Sequence, residues 1–166
     1  MSDAEAELRV EIKGLMLDPS SNTPIVILKD VDSQHFLPIW IGVFEANAIA
    51  LKIEGVEPPR PMTHDLLRSA LERLGGRVEK IVISDLQDST FFALVHVLRE
   101  QERIAIDARP SDAIALALRT DAPIFVLRTV MEKAQAADRA TEASDDEKLK
   151  KWLEEIGPEE LGRYTM

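Results

Sequence analysis

Apolar and polar residues alternate at the start of the chain, and this period-two pattern predicts a half-buried β-strand. Leu8, Val10 and Ile12 fall on one face, with charged residues between them. The turn-forming segment 18–23 separates this strand from the apolar run 24–29. The two strands are therefore predicted to form a hairpin.

The hydrophobic pattern then continues as further strands and helices. We predict strands at 35–41, 78–84, 90–99, 103–108 and 123–127, and helices at 44–53, 63–74, 111–119 and 130–140. Pro38 predicts an edge position or an irregularity in its strand, because proline cannot donate a hydrogen bond to a neighbouring strand. Gly14 predicts either a bulge in the first strand or a close approach of another part of the chain. Thr63 is the predicted cap of the second helix, and Asp65 would complement the positive end of that helix.

Two heptapeptides, at residues 47–53 and 112–118, are near copies of each other at an offset of 65 residues. At the same offset, Ile39 matches Ile104. Such a self-match indicates a repeated structural unit. We therefore predict an α+β fold of duplicated β-β-β-α units that form one compact pseudo-symmetric domain, with C-terminal helices added to it.

The composition and hydropathy of the chain also predict where its domain, linker and terminal segments begin and end. The predicted parts are a flexible acidic N-terminus at 1–7, the main domain at 8–140, an acidic linker at 141–147, and an amphipathic C-terminal helix and tail at 148–166. In the last part, Leu149, Trp152, Leu153 and Ile156 form an apolar stripe. This stripe predicts docking on the same domain or a partner subunit, and a dedicated partner-binding motif is the alternative.

The composition fits one globular domain, since 45% of the 166 residues are hydrophobic and 30% are charged. The absence of cysteine excludes disulfides and thiolate metal sites. No apolar run approaches the roughly 18 residues of a membrane span, and the first residues are acidic, so we predict a cytoplasmic protein without a membrane partner. The net charge of -10 repels phosphate, so any nucleic-acid site would have to be a small basic or metal-bearing patch.

Three segments carry a resemblance to a known family. They are residues 37–42 (Leu-Pro-Ile-Trp-Ile-Gly), 60–66 (Arg-Pro-Met-Thr-His-Asp-Leu) and 108–117 (Ala-Arg-Pro-Ser-Asp-Ala-Ile-Ala-Leu-Ala). Their order and spacing resemble those of the bifunctional nuclease domain family, whose members are mostly small bacterial proteins. The resemblance implies an α+β fold, a nuclease that cleaves DNA and RNA, and a homo-oligomer, with a dimer favoured.

Phosphodiester hydrolysis needs an activated water, stabilisation of the transition-state charge and help for the leaving oxygen. Carboxylates that hold Mg2+ or Mn2+, together with a histidine, can supply all three. The candidates are His64, Asp65 and Glu45 as catalytic groups, Arg109 and Arg60 as substrate-binding groups, and Asp112 and Asp85 as metal ligands. No organic cofactor is predicted, because the chain lacks a glycine-rich phosphate loop and any other cofactor fingerprint.

His64 and Asp65 fall in the first turn of a predicted helix, where exposed amide N–H groups favour an anion such as phosphate. This position makes His64 the leading catalytic candidate. The structural alternative is that Thr63 and Asp65 cap the helix while His64 packs against the preceding proline-rich connector.

The internal repeat separates Arg109 from Asp112. Asp112 matches Asn47, so a short polar residue occurs in both copies, which favours a helix cap. Arg109 matches Phe44 and has no basic counterpart, which favours a phosphate clamp through its planar guanidinium. An ion pair of Arg109 with Asp112 or Glu45 is the alternative.

For Asp85, metal ligation and turn initiation both remain open.

Two functional hypotheses follow for the whole protein. The first is a metal-assisted nuclease that acts on DNA and RNA. The second is a non-catalytic oligomeric binding or regulatory protein that shares the fold. A small-molecule enzyme or sensor that uses the same cleft is a third reading, and no sequence fingerprint supports it.

Overall fold

The computed structural model of the protein describes residues 5–140 and has an α+β fold, as predicted. In chain order its elements are β1 (Glu7–Leu17), β2 (Pro24–Asp30), β3 (Phe36–Trp40), α1 (Val43–Ile53), α2 (Thr63–Arg73), β4 (Gly76–Gln87), β5 (Thr90–Arg99), β6 (Glu102–Ala108), α3 (Pro110–Thr120), β7 (Ile124–Leu127) and α4 (Arg128–Ala140). The predicted linker at 141–147 and the C-terminal helix at 148–166 lie outside the described residues. No helix among those described is long and apolar enough to cross a membrane.

One mixed sheet of seven strands, in the order β3-β2-β1-β7-β4-β5-β6, contains all the strands listed above. Two antiparallel three-stranded meanders flank β7, which pairs antiparallel with β1 and parallel with β4. Each meander leads along the chain into a helix, α1 after β3 and α3 after β6. This order agrees with two β-β-β-α units, while duplication of one ancestral unit stays a prediction.

The central helix of the fold is α3, which buries eight of its eleven residues. Its alanine-rich sequence explains this placement, because small side chains let the helix lie close both to the sheet and to α1. Ile114 is completely buried, and burial of a side chain of that size stabilises the fold by about 2 kcal/mol. The near-copy segments of α1 and α3 therefore form the core, and their first turns carry the polar groups described below.

Several local predictions can be compared with the structure. Pro38 lies in an edge strand, because β3 pairs only with β2, and the register of β1 shifts between Ile12 and Gly14. The predicted cap at Thr63 is wrong, since α2 begins after Met62, whose backbone N–H donates to Asp65 Oδ2 at 2.9 Å. Asp65 closes this first turn in place of Thr63.

The predicted capping role of Asp112 is also wrong. Helices α1 and α3 begin after Gly42 and Arg109, and neither start has a side-chain cap. Asn47 and Asp112, which match at the repeat offset, are the fifth residue of α1 and the third of α3. The helices therefore start at different points of the repeat, and the third helical position holds Glu45 in α1 and Asp112 in α3.

Candidate active site

The first turns of three helices bring four predicted site residues together. Glu45 is the third residue of α1, His64 the second of α2 and Asp112 the third of α3, while Arg109 immediately precedes α3. Arg109 Nη2 donates to Glu45 Oε1 at 2.6 Å, and Arg109 Nε donates to Asp112 Oδ2 at 2.8 Å. His64 Nε2 lies 2.9 Å from the other Asp112 oxygen, Oδ1. We call these four residues the Arg109 cluster.

Asp112 is the centre of this cluster because each of its carboxylate oxygens has a different partner. The side chains of His64 and Glu45 are only 12% and 16% exposed, whereas that of Arg109 is 64% exposed. Two of the five N–H groups of the guanidinium donate to carboxylates. The cluster therefore presents an oriented cation to solvent and keeps the histidine and the carboxylates beneath it.

The hydrogen bonds within the cluster keep both carboxylates ionised. The pKa of Glu45 is lowered by its own backbone N–H at the helix start and by Arg109. Burial raises the pKa of Asp112, but hydrogen bonds from Arg109 and His64 outweigh burial and lower it overall. The pKa of Arg109 is raised by Asp112 and Glu45. At neutral pH one guanidinium thus lies between two carboxylates.

A cavity of about 740 Å³ adjoins the cluster and is bordered by α1, α2, α3, β5 and β6. All four residues of the cluster line it, and most of its remaining wall is apolar, including Phe44, Met62, Leu67, Leu71, Val95 and Ile106. Phe44 is 88% exposed. An apolar cavity with a few convergent polar groups is the usual form of a ligand site.

Asp65, predicted as catalytic, is turned away from the cluster. Its Oδ1 accepts a hydrogen bond from Arg119 Nε at 2.8 Å. Arg119 is buried and also donates to the carbonyl oxygens of Ala115 and Ala48, at 2.9 and 3.0 Å. Burial raises the pKa of Asp65, but the Met62 N–H and Arg119 outweigh burial and lower it overall. Asp65 thus ties α2 to α1 and α3.

Two other predicted residues also lie apart from the cluster. Arg60 is exposed in the connector before α2 and does not line the cavity. Asp85 lies in β4, where it accepts hydrogen bonds from Gln87 Nε2 at 2.6 Å and from the Leu86 N–H at 2.8 Å, which lower its pKa. Lys133 Nζ lies 3.4 Å from the same carboxylate. The structure therefore does not bring Asp85 to Asp112.

The predicted Mg2+ or Mn2+ would need several oxygen or nitrogen ligands that converge on one point. Within residues 5–140, no group of three or more histidine, aspartate or glutamate side chains is placed to hold a metal ion. In the cluster, Arg109 already bridges the two carboxylates that would be ligands. As placed, these carboxylates bind a guanidinium and do not form a site for a divalent cation. Metal use by the protein is therefore not supported by this arrangement, and it stays a prediction from the sequence.

Sequence reasoning missed Arg119 and the role of Phe44. A signal existed for Arg119, because an arginine in the last turn of a helix whose other residues are mostly apolar must be paired if it is buried. For Phe44, the repeat indicates only that it matches Arg109 at the offset of 65 residues. Its exposed position follows from the first turn of α1 projecting beside the cavity, which no local pattern indicated.

Comparison with known proteins shows the family to which the chain belongs. The sequence profile of the bifunctional nuclease domain matches residues 26–139. An uncharacterized protein of Mycobacterium tuberculosis is 38% identical over 161 residues, which cover 92% of this chain and 96% of that protein.

Two rice proteins from Oryza sativa are more distant relatives. Bifunctional nuclease 1 of subspecies indica is 26% identical over 68% of this chain and 35% of its own length. Bifunctional nuclease 2 of subspecies japonica is 28% identical over 71% of this chain and 38% of its own length. The profile match and the mycobacterial relative together show that the chain belongs to the bifunctional nuclease domain family.

Proposed function

We propose that the protein hydrolyses phosphodiester bonds in DNA and RNA at the Arg109 cluster. The observation that carries this proposal is the His64–Asp112 pair held beside an exposed guanidinium on the wall of an open cavity. Membership in the family and the names of the rice relatives support the same reaction class.

Arg109 binds the scissile phosphate in this mechanism. Its exposed N–H groups form a planar donor fork that matches two phosphate oxygens. Glu45 and Asp112 fix the orientation of the guanidinium from the other side. Because the cation is already in place, it can stabilise the charge that develops on the phosphate oxygens without reorganisation.

His64 acts as the proton-transfer group. When Nε2–H donates to Asp112, Nδ1 carries the lone pair and can accept a proton from water as the water oxygen attacks phosphorus. The bond from phosphorus to the leaving oxygen then breaks, and the proton passes from His64 to that oxygen. Asp112 keeps the imidazole in this tautomer and orientation, as carboxylates commonly do for catalytic histidines.

The test compares purified variants on single-stranded DNA and RNA oligonucleotides. His64→Ala should lower the cleavage rate by about 10²- to 10⁴-fold, the usual contribution of general acid–base catalysis. Arg109→Lys, which keeps the charge and removes the fork, should lower kcat/KM by about 10²-fold. His35→Ala and Arg73→Lys are the matched controls, because both residues are exposed and neither lines the cavity.

Folded variants with unchanged cleavage would overturn the assignment of the cluster. Absence of cleavage by the wild-type protein on every substrate would overturn the proposed activity. Each assay is run with EDTA and with added Mg2+ or Mn2+, so the predicted metal dependence is measured in the same experiment.

A non-catalytic oligomeric binding or regulatory protein is the second candidate function. It is favoured by the apolar wall of the cavity and by the two carboxylates that already compensate Arg109. In that case, wild-type protein would bind oligonucleotides or small apolar ligands without turnover under all metal conditions. Equilibrium dialysis of the same ligands and product analysis on the same samples distinguish the two functions.

A further inference from the structure

The two edges of the sheet differ in how well they are protected against strand pairing. At one edge, β3 has five residues and contains Pro38. At the other, β6 has seven residues, contains no proline and pairs with β5 without any register shift. Protected edges usually carry proline, bulges, charged side chains or covering elements, because an open edge is a template for another strand. Edge β6 lacks the first two, and its charged side chains, Glu102, Arg103 and Asp107, are of both signs.

Strand β6 and the helix opposite it, α2, are both largely exposed to solvent. Five of its seven residues are exposed, and α2, which faces it across the cavity, has no buried residue at all. A helix in a globular domain normally buries an apolar stripe. Among the residues described, four apolar side chains of the cavity wall are at least 40% exposed. They come from α1, the start of α2 and β6, and they are Phe44, Met62, Leu67 and Ile106.

The sequence of β6 is complementary to itself in one antiparallel register. If two copies of Glu102-Arg103-Ile104-Ala105-Ile106-Asp107-Ala108 pair about a two-fold axis at Ala105, Arg103 lies opposite Asp107 and Ile104 opposite Ile106. Opposite charges and β-branched residues directly across a strand pair are stabilising. A shift of the centre to Ile106 would instead place Arg103 opposite Arg109.

We propose that a second copy of this chain pairs antiparallel with β6, centred on Ala105, to form a symmetric dimer with a continuous sheet. Arg103 Nε lies 3.5 Å from Glu79 Oε2 of its own chain, but the Arg103 side chain is 78% exposed and can still reach a partner strand. The charge complementarity within β6 selects a second copy as the occupant, because the same strand supplies both the cation and the anion. The partner strand would cover the outer side of Ile106, which lines the cavity. The proposed interface therefore borders the Arg109 cluster.

A charge-swap series tests this interface by sedimentation velocity. Arg103→Asp places two aspartates opposite each other in both symmetric pairs, and Asp107→Arg places two arginines there, so each single variant should convert the dimer to monomer. The double variant Arg103→Asp/Asp107→Arg recreates the complementary pairs and should restore the dimer. Lys13→Asp and Asp32→Arg make the same charge changes at exposed sites away from β6 and should leave the dimer intact.

A monomeric wild-type protein would overturn the proposal. So would single variants that remain dimeric, or a double variant that is folded and stays monomeric. Circular dichroism of each variant confirms folding, so that loss of the dimer is not confused with loss of the domain.

The register is tested separately by disulfide cross-linking. The chain contains no cysteine, so any disulfide must form between introduced cysteines. Ala105→Cys places the two thiols directly opposite, with Cα atoms about 4.5–5.5 Å apart, within the range that a disulfide spans. Ile104→Cys is the matched control, since its own copy lies diagonally at about 7–8 Å. Mild oxidation should give a covalent dimer for position 105 and little for position 104. Equal yields, or none at 105, would contradict the register.

Discussion

Arg109 forms the ion pairs that the sequence offered as the alternative to a phosphate clamp, and the clamp itself stays a proposal. Arg109 pairs with Glu45 and Asp112, yet its guanidinium is 64% exposed at the cavity. Exposed ion pairs contribute about 0–1 kcal/mol to stability, so stability alone is a weak reason for this arrangement. The carboxylates instead fix the direction in which the guanidinium presents its N–H groups. If Arg109 binds phosphate as proposed, these ion pairs orient the guanidinium for that contact.

Asp65 shows the opposite outcome, because its carboxylate serves the fold. Arg119 has a side chain only 2% exposed, and Asp65 is its acidic partner. We predict that Asp65→Asn lowers the free energy of unfolding at neutral pH by about 3 kcal/mol, since a buried cation is left without its counter-charge. Urea unfolding measures the effect. The matched control is Asp32→Asn, at an exposed loop position, which should change the free energy by less than about 0.5 kcal/mol.

The effect of Asp65→Asn should also depend on pH. The pKa of Asp65 in the folded protein lies below its ordinary value of 3.8. A carboxyl with a lowered folded pKa stabilises the protein fully above its unfolded pKa, and this contribution is lost as pH falls through the folded pKa. The stability difference between wild type and variant should therefore be constant above about pH 5 and shrink toward more acidic pH. A difference that grows on acidification would contradict the assignment.

At the scale of elements, α2 is held mainly at its two ends. Its first turn carries Asp65, and its last turn meets the start of β4 at Gly75 and Gly76. A Cβ atom on Gly76 would lie 2.9 Å from Val97 Cγ1 and 3.1 Å from the Leu71 carbonyl oxygen. Since Leu71 belongs to α2 and Val97 to β5, this glycine sets how closely the helix approaches the sheet.

We predict that Gly76→Ala destabilises the protein by about 1–3 kcal/mol, the range typical of overpacking. Urea unfolding gives the value. Ser69→Ala is the control, because it introduces an alanine at an exposed position of α2 without a steric clash. Its free energy of unfolding should stay within about 0.5 kcal/mol of the wild-type value. Equal stability of Gly76→Ala and wild type would show that α2 can shift freely, and that its position is not fixed by this contact.

Local patterns predicted elements well because each element is decided by neighbouring residues. The alternation at Leu8, Val10 and Ile12 gave β1, and the alanine-rich repeat gave α1 and α3. The prediction of the α2 start failed because two side chains could serve it. Thr63 is a good capping residue by type, but the carboxylate of Asp65 accepts a hydrogen bond from the Met62 N–H. The N-cap is therefore Met62, one residue before the predicted one.

At the scale of the whole molecule, the site depends on strand order, which no local pattern contains. Strand β7 inserts between β1 and β4, so the two meanders lie side by side and α1 packs against α3. This arrangement puts Glu45 within 2.6 Å of Arg109 although 64 residues separate them. The sequence could name Glu45, His64 and Arg109 as candidates from their helix starts. It could not show that Asp65, adjacent to His64, points to a different partner.

The charge of the whole molecule leads to a last prediction about nucleic-acid binding. The chain has a net charge of -10, and among the described residues the basic side chains that line the cavity are Arg109 and His64. Proteins that neutralise many phosphates lose affinity steeply with salt, whereas one contact to a single strand gives a slope of only about -0.7 in log K against log salt. We therefore expect weak binding with a slope between zero and about -1.

Fluorescence anisotropy of a labelled single-stranded oligonucleotide measures this slope between about 50 and about 200 mM salt. The His64→Ala variant is used so that the oligonucleotide stays intact, and Arg109→Met in the same background should bring the slope close to zero. Because screening also weakens the repulsion from the acidic surface, the slope should be shallowest at the lowest salt. A slope steeper than about -3 would mean that several further cations contact phosphate, and that the binding surface extends well beyond the Arg109 cluster.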